Sequence, residues 1–326
     1  MNKTGYEDLS QVQLHTLFSS GQWSFLSFED RMNACQEVEN RYAAENHVAP
    51  CTVVPRQMDG GTYGWQSGRI ICLNESLVKD GCFSVTYTDE NQLSQTSLVP
   101  VEAPNWNVLD TVYHEGTHGI QESLGMVPDT YVTCDTDRDL YRIQKIEKEA
   151  YAQGQNRTLQ AIGEVERETG LSDPEKGNYV TYIRNDSFQS SLRDAELRYN
   201  DPDIENTLAQ VIYDRDYGII PKEPSESYQI INRLCDEQEK CLNAARDLGI
   251  TTEADGLSPD GTITTDIAHG TYLDLSDGLS SDGSITFIAN TSVDHAETIN
   301  DGLYTNDSGN IYERSTEQGS ENSMEQ

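Results

Sequence analysis

Two histidines one helical turn apart place the strongest constraint on how this chain can fold. His114 and His118 are separated by three residues, and Glu115 directly follows the first histidine. On an α-helix, residues i and i+4 lie on the same face, so the two imidazoles would project side by side and could bind one metal ion. The apolar residues of the segment fall on the opposite face, which predicts a helix over 106–124 that directs both histidines and Glu115 into a cleft. That apolar face consists of Val108, Leu109, Val112, Tyr113, Ile120 and Leu124.

Two glycines interrupt this predicted helix. Gly116 and Gly119 lie within and directly after the histidine pair, and each costs about 1 kcal/mol relative to alanine in a helix. Close packing against a neighbour of the metal site would explain them, and so would a frayed or poorly formed helix.

A catalytic zinc ion (Zn²⁺) requires a third protein ligand and keeps one position for water. No third histidine follows His118 at the spacing of the three-histidine zinc motif, so the candidates are downstream carboxylates. In the helix predicted over 137–154, Glu147 lies inside the apolar stripe, whereas Glu149 points about 160° away from it. A carboxylate in an apolar stripe needs a partner, which can be a metal ion or a buried Arg or Lys. We therefore predict Glu147 as the third ligand, with Glu149 as the alternative.

Composition limits the partners of the chain. Its 22 Lys+Arg against 56 Asp+Glu give a net charge of −34, which argues against binding to nucleic acid or to an anionic membrane. There is no apolar run of about 18 residues and no leader with an apolar core. The seven cysteines are scattered without a C-x-x-C pair. These features predict a cytoplasmic protein with reduced thiols, and export by a route that needs no cleavable leader stays open.

A change in composition near residue 250 predicts two regions. Residues 251–326 contain 15 acidic residues and one basic residue, Arg314, so this stretch buries little apolar surface and is predicted to be an acidic, weakly repetitive, disordered tail. The repeat begins at Asp255, Asp277 and Asp301. Each copy places a turn between a Leu and an Ile, so small hairpins are the alternative.

Residues 1–250 are predicted to form one folded domain of α+β class. Periodicity predicts helices at 28–46, 106–124, 137–154, 156–169, 188–212 and 225–247. Apolar and β-branched runs predict strands at 52–54, 69–73 and 83–87. A glycine-rich phosphate loop is missing from this order of elements, which argues against a nucleotide-binding fold.

The spacing of the motif and the downstream acidic cluster resembles that of a known family. The segment from His114 to His118, followed by Glu147-Lys148-Glu149-Ala150, resembles the minimal zincin-like metallopeptidases of the gluzincin type, including the H-E-x-x-H and E-x-E-A pattern of the ImmA/IrrE-like group. The lead-in before His114 and the predicted strand near 70–74 are also similar to zincin-like toxin or effector domains of bacterial polymorphic and mobile-element systems. The resemblance covers about residues 10–170. Tyr151 departs from it, because the ImmA/IrrE-like pattern has Asn or Asp there.

The resemblance implies a fold, a site and an activity. The fold would be a minimal zincin-like one, with a small antiparallel-containing sheet, the H-E-x-x-H helix and further helices. Zinc would be bound by His114, His118 and Glu147, and Glu115 would act as general base in hydrolysis of a protein or peptide substrate. The strand at 69–73 would bind that substrate by edge addition. The donor to the developing oxyanion stays open among Tyr113, Tyr141, Tyr179 and Tyr182.

Two other functional classes fit the same sequence. One is a catalytically inactive zincin-like binding module that uses the groove for a partner. The other is an acidic structural or adhesive surface protein in which the repeats of 251–326 carry the function. The sequence does not define an oligomeric state.

Overall fold

The computed structural model of the chain describes residues 3–58, 61–88, 94–185 and 187–247, and two short strands at 303–305 and 311–313. The fold is mixed α+β and rich in helices, with small sheets of two or three strands. The N-terminal part contains helices α1 (Gln11–Thr16), α2 (Ser20–Trp23), α3 (Phe28–Glu45) and α4 (Glu75–Asp80), and strands β1 (Thr52–Arg56), β2 (Gly64–Ser67), β3 (Ile70–Asn74), β4 (Cys82–Thr88) and β5 (Ser94–Pro100). The remainder contains helices α5 (Pro104–Ser123), α6 (Arg138–Ile143), α7 (Lys145–Thr169), α8 (Lys176–Asn185), α9 (Phe188–Tyr199), α10 (Ile204–Asp216) and α11 (Glu226–Asp247), and strands β6 (Leu303–Thr305) and β7 (Ile311–Glu313).

The main sheet has the strand order β1-β3-β2. Strand β1 runs parallel to β3 and β2 runs antiparallel to it, with Cys72 of β3 paired to both Val54 and Trp65. The prediction that the strand at 69–73 offers a free edge is therefore wrong, because β3 is the central strand. The edge beside the histidine helix is β2, where a Cβ on Gly64 would lie 2.8 Å from the Thr111 side chain of α5.

Three predicted helices differ in their bounds. The predicted break between 137–154 and 156–169 is wrong, since α7 is continuous from Lys145 to Thr169 and the chain breaks instead at Gln144. The predicted helix at 188–212 is two helices, because Asn200 adopts a left-handed backbone conformation that ends α9 shortly before Pro202. Predicted helices 28–46, 106–124 and 225–247 are confirmed within two residues.

Two separate hydrophobic cores stabilise the described residues. The first surrounds α5 and takes in Trp106, Leu109 and Val112 together with apolar side chains of α1, α3, α7, α8 and the main sheet. The second includes Val132, Leu140 of α6 and Ile231 of α11, with apolar residues of α9 and α10. The sequence predicted one domain over 1–250 without separating these two clusters.

The second predicted region, 251–326, lies outside the described residues except for β6 and β7. These two strands pair antiparallel with Tyr304 opposite Tyr312, which is the hairpin that the third repeat copy allowed as the alternative. The seven cysteines all lie in described residues and none forms a disulfide. Of the helices described, none combines the length and apolar character needed to cross a membrane.

The two glycines of α5 allow other elements to approach the helix closely. A Cβ on Gly116 would lie 2.6 Å from Oε2 of Glu39 in α3, and one on Gly119 would lie 2.7 Å from the Cys51 thiol. The helix itself is continuous from Pro104 to Ser123. Close packing therefore explains both glycines, and the neighbours are α3 and Cys51.

Glu39 is a buried carboxyl group behind the histidine helix. It is 2% exposed, and its Oε1 accepts a hydrogen bond from the backbone N–H of Cys51 at 2.8 Å. Its Oε2 has no hydrogen-bond partner among the described residues. Burial is the main reason that the pKa of Glu39 is raised from 4.5 to about 7.

We predict that Glu39→Gln removes a pH dependence of stability. The folded state holds the Glu39 proton more tightly than the unfolded state, so this stabilisation is complete below the ordinary pKa of 4.5 and is lost as the pH rises through about 7. The full effect is about 3 kcal/mol. Urea unfolding measured as a function of pH should show that the free energy of unfolding of Glu39→Gln, relative to that of the wild type, rises by about this amount between acidic pH and about pH 8. The exposed Glu29 of the same helix provides the control variant, Glu29→Gln. A parallel pH profile for Glu39→Gln and wild type would contradict the prediction.

We also predict that Gly154→Ala destabilises the protein. A Cβ on Gly154 of α7 would collide with the Asp110 carboxylate and lie 2.9 Å from the Asp110 carbonyl oxygen in α5. Relieving this overlap requires the two helices to separate, which costs about 1–3 kcal/mol. Gly163→Ala on the same helix is the matched control, because a Cβ there meets no described atom within 4 Å. It should stabilise the helix by up to about 1 kcal/mol. Equal urea midpoints for the two variants would exclude this explanation.

Candidate metal centre

Helix α5 places both histidines at the side of the first core. Pro104 occupies the first turn, where its missing N–H costs no hydrogen bond. His114 is 8% exposed and His118 is partly exposed. The predicted opposite face is confirmed at Leu109 and Val112, which are buried in the core, whereas Leu124 at the helix end is 59% exposed.

Helix α7 brings Glu147 to the histidines. The break before α7 is held by Gln144, whose side chain accepts from the N–H of Val132 and donates to its carbonyl oxygen, both at 2.8 Å. Glu147 then lies in the first turn of α7 and is 1% exposed. The contact of Gly154 with Asp110 fixes the same helix against α5 two turns later.

The side chains of the motif converge with Glu147. Nε2 of His114 and Nε2 of His118 lie 3.2 Å apart. Oε1 of Glu147 lies 3.2 Å from Nε2 of His118, and Oε2 lies 3.6 Å from Nε2 of His114. Glu115 is farther away, with Oε1 at 3.9 Å from Nε2 of His114. His114, Glu115 and His118 form a cluster that could hold a metal ion, with potential ligand atoms all within 4.8 Å of one another.

The hydrogen bonds of Gln121 define the tautomer of His118. The Gln121 amide nitrogen donates to the carbonyl oxygen of Ile146 at 3.0 Å and to Glu149 at 3.3 Å. Its oxygen therefore faces Nδ1 of His118, at 2.8 Å, and accepts the Nδ1 proton. A neutral His118 thus directs the lone pair of Nε2 towards Glu147 and His114, which is the form that binds metals.

The three converging groups fit a metal ion by their chemistry and their spacing. With the proton of His118 on Nδ1, Nε2 of His118 and the Glu147 carboxylate present only lone pairs to each other, so this contact requires a cation, either a proton or a metal ion. Oε2 of Glu147 is buried and has no hydrogen-bond partner in the described part of the chain. Tetrahedral zinc with ligands at 2.0–2.1 Å would need ligand atoms about 3.3 Å apart, close to the 3.2 Å between the two Nε2 atoms, and each imidazole has one Glu147 oxygen at 3.2 or 3.6 Å.

The pKa values reflect this need for positive charge. Burial, together with the charges of His118 and Arg142, lowers the pKa of His114 to about 3. Burial would also lower the pKa of His118, but Glu147 overrides it and raises that pKa to about 9. Burial would raise the pKa of Glu147, yet the two histidines and the Tyr131 hydroxyl lower it to about 2. His118 and Glu147 thus form a charged pair when a proton supplies the cation.

Glu115 has the properties of a proton carrier. It is 7% exposed and accepts a hydrogen bond from the backbone N–H of Gln66 in β2. Burial is the largest cause that raises the pKa of Glu115 to about 7, and the negative charge of Glu147 acts in the same direction. A carboxylate with a pKa near 7 can both accept and release a proton at neutral pH.

Glu149 is placed differently from Glu147. It is exposed, and its described contact is the hydrogen bond from Gln121. It therefore supports the amide that orients His118, whereas Glu147 contacts both imidazoles directly. Among the described residues, the partners of Glu147 are imidazoles and a tyrosine hydroxyl, so an ion pair with Arg or Lys does not explain its burial.

The four tyrosines considered as oxyanion donors separate into two groups. The hydroxyl of Tyr113 contacts Nε2 of His15 at 3.0 Å, and that of Tyr179 donates to Asp110 at 2.9 Å. Tyr182 packs against Tyr179 and Tyr63. Of the four, Tyr141 lies near the metal-binding side chains, and burial together with the charges of Glu147 and Glu115 raises the pKa of its hydroxyl.

Residues around the site include three that the sequence analysis did not assign. Tyr131 donates its hydroxyl to Oε1 of Glu147 at 2.6 Å. Tyr151, where the sequence departs from the ImmA/IrrE-like pattern, packs its ring against the His114 ring, with centroids 4.3 Å apart. The central carbon of the Arg142 guanidinium lies 3.0 Å from the centroid of the Tyr151 ring. Gln121 is one turn beyond His118, so helical spacing could have identified it. Tyr131 lies outside regular secondary structure and had no such signal.

No family model, curated protein or solved structure matches this chain.

Proposed function

We propose that this protein is a zinc-dependent metallopeptidase of the gluzincin type. His114, His118 and Glu147 would hold the zinc ion, and Glu115 would act as general base. The observation that carries the proposal is the convergence of both imidazole Nε2 atoms and the Glu147 carboxylate within 3.2 to 3.6 Å. Two histidines and one glutamate are the ligand set of one well-known class of catalytic zinc sites.

The surroundings of the site support a zincin-like fold. The main sheet lies beside α5, with Gly64 of β2 close to Thr111. Strand β2 is at the edge of that sheet and reaches the site through the Gln66 N–H that donates to Glu115. A protein or peptide substrate in extended form would add to the edge strand β2, because the backbone of this strand lies next to Glu115 at Gln66.

The chemistry follows from the positions of these side chains. When bound, zinc would supply Lewis acidity and lower the pKa of a coordinated water towards 7. The Glu115 carboxylate would take a proton from the attacking water and pass it to the leaving amine. Tyr141, whose hydroxyl keeps its proton at neutral pH, would donate a hydrogen bond to the developing oxyanion. Gln121 would hold the proton of the neutral His118 on Nδ1, which leaves Nε2 for the zinc ion.

Metal content tests the ligand assignment. Protein purified without chelator should contain about one zinc ion per chain by mass spectrometry. His118→Ala and Glu147→Gln should lose it, since each removes one of three ligands. Glu149→Gln is the matched control two residues away and should retain zinc, because Glu149 contacts Gln121 and not the imidazoles. Zinc-free wild-type protein after reconstitution would overturn the proposal, and loss of zinc in Glu149→Gln alone would reassign the third ligand.

Activity tests the role of Glu115. Glu115→Gln should bind zinc as the wild type does but cleave a diverse peptide library roughly 10²- to 10⁴-fold more slowly, because the amide cannot take up the proton. Cleavage products are identified by mass spectrometry. Wild-type rates in Glu115→Gln would exclude it as the general base. A zinc-loaded wild type that cleaves no peptide in the library would favour the inactive zincin-like binding module.

A further inference from the structure

The Tyr131 hydroxyl fixes one oxygen of Glu147. It donates to Oε1 at 2.6 Å, while Oε2 of the same carboxylate is buried without a hydrogen-bond partner among the described residues. A carboxylate held at one oxygen presents the other in a defined direction. Partners of this kind orient metal ligands, and losing one typically weakens metal binding about 10- to 100-fold.

Tyr131 itself lies in a segment that cannot hold its position alone. Residues 124–137, between α5 and α6, form no helix or strand, so their backbone depends on side chains from elsewhere. Two contacts fix this segment next to Tyr131. The N–H of Thr130 donates to Asp216 at the end of α10 at 2.7 Å, and Gln144 pairs with both backbone groups of Val132.

The third contact comes from the last described helix. The Gln238 amide nitrogen in α11 donates to the carbonyl oxygen of Tyr131 at 2.6 Å. Its oxygen accepts from the N–H of Thr133 at 3.0 Å and from the hydroxyl of Thr136 at 2.7 Å. One side chain therefore binds the segment on both sides of Val132, using a donor and an acceptor at the same time.

The position of Gln238 is determined by the second hydrophobic core. Ile231 and Cys235 of α11 are buried there, together with Val132 of the segment itself. The core that contains α11 is not the core around α5, the helix that carries His114 and His118. The path from α11 to the site runs from Gln238 to the backbone of Tyr131, and from the Tyr131 hydroxyl to Glu147.

We infer that Gln238 is a positioning residue of the candidate metal centre, which sets zinc affinity by holding Tyr131 on Glu147. This inference rests on the proposed function, since it assigns a role in zinc binding. The helices of the second core would thus help to position a metal ligand at a site whose histidines lie on α5, a helix of the first core.

The test measures zinc affinity of the full chain by competition with a chromogenic chelator. Tyr131→Phe keeps the ring and removes the hydroxyl, and it should weaken zinc binding roughly 10- to 100-fold. Gln238→Leu should weaken it in the same direction. The double variant should bind zinc no more weakly than Tyr131→Phe, because Gln238 acts through the hydroxyl that is already missing. Gln229→Leu on the same helix is the matched control and should match the wild type, since Gln229 donates to the carbonyl oxygen of Pro224.

A second variant separates positioning from folding. Gln238→Glu keeps the length of the side chain and the acceptor for Thr133 and Thr136, but it places a carboxylate oxygen against the carbonyl of Tyr131. It should therefore weaken zinc binding as Gln238→Leu does, at a far-ultraviolet circular dichroism spectrum equal to the wild type.

The outcomes distinguish this inference from the proposed function. Zinc bound through Glu147 with wild-type affinity in Tyr131→Phe or in both Gln238 variants would overturn the inference alone. Effects of Tyr131→Phe and Gln238→Leu that multiply in the double variant would do the same, because they would show independent actions. A wild-type protein that binds no zinc would overturn the inference together with the proposed function.

Discussion

The close crossing of α5 and α7 is the contact on which the candidate metal centre depends. The helices touch where Gly154 meets Asp110. From that point Glu147 lies seven residues back along α7, or about 10 Å, while His114 and His118 lie four and eight residues forward along α5, or about 6 and 12 Å. Because the helices cross antiparallel, these distances bring Glu147 level with the histidine pair. A glycine at the crossing therefore determines which carboxylate can reach the imidazoles.

The same crossing buries several ionisable side chains together, and these groups require a charge partner. Two imidazoles and a carboxylate that is 1% exposed lie together next to a second buried carboxyl group, Glu115. Removing such groups from water costs several kcal/mol each unless a charge partner compensates. Without a metal ion, the His118 proton compensates Glu147, and the burial of Glu115 shifts its pKa towards neutrality. The features that would suit these residues to metal binding and proton transfer are thus consequences of their burial in one cluster.

The sequence was informative where the determinants are local. The helix with His114 and His118 follows from residues spaced three and four apart, and the unusual position of Glu147 follows from the same periodicity. The apolar stripe that includes Glu147 was predicted on one helix over 137–154, whereas the chain breaks at Gln144. Residues 145–154 are nevertheless helical in α7, so the predicted faces of this part are unchanged. Contacts between distant segments had no such pattern. The contact of Tyr131 with Glu147, the edge position of β2 and the separation into two cores depend on which elements pack together. The periodicity of a single sequence does not indicate such packing.

The arrangement of the two cores explains why the site lies where it does. Helix α5 belongs to the first core, whereas the segment with Tyr131 and helix α6, directly before Glu147, are anchored in the second. A metal ion held by His114, His118 and Glu147 would therefore be bound by two helices of the first core, α5 and α7, while Tyr131, which contacts Glu147, lies in a segment anchored in the second. Ligand distances in a metal site must hold to within about 0.2 Å, so metal binding would depend on the first core for the ligands and on the second core for the position of Tyr131. Conversely, changes in the packing of the second core would reach the metal centre through Tyr131 and Glu147 without altering α5.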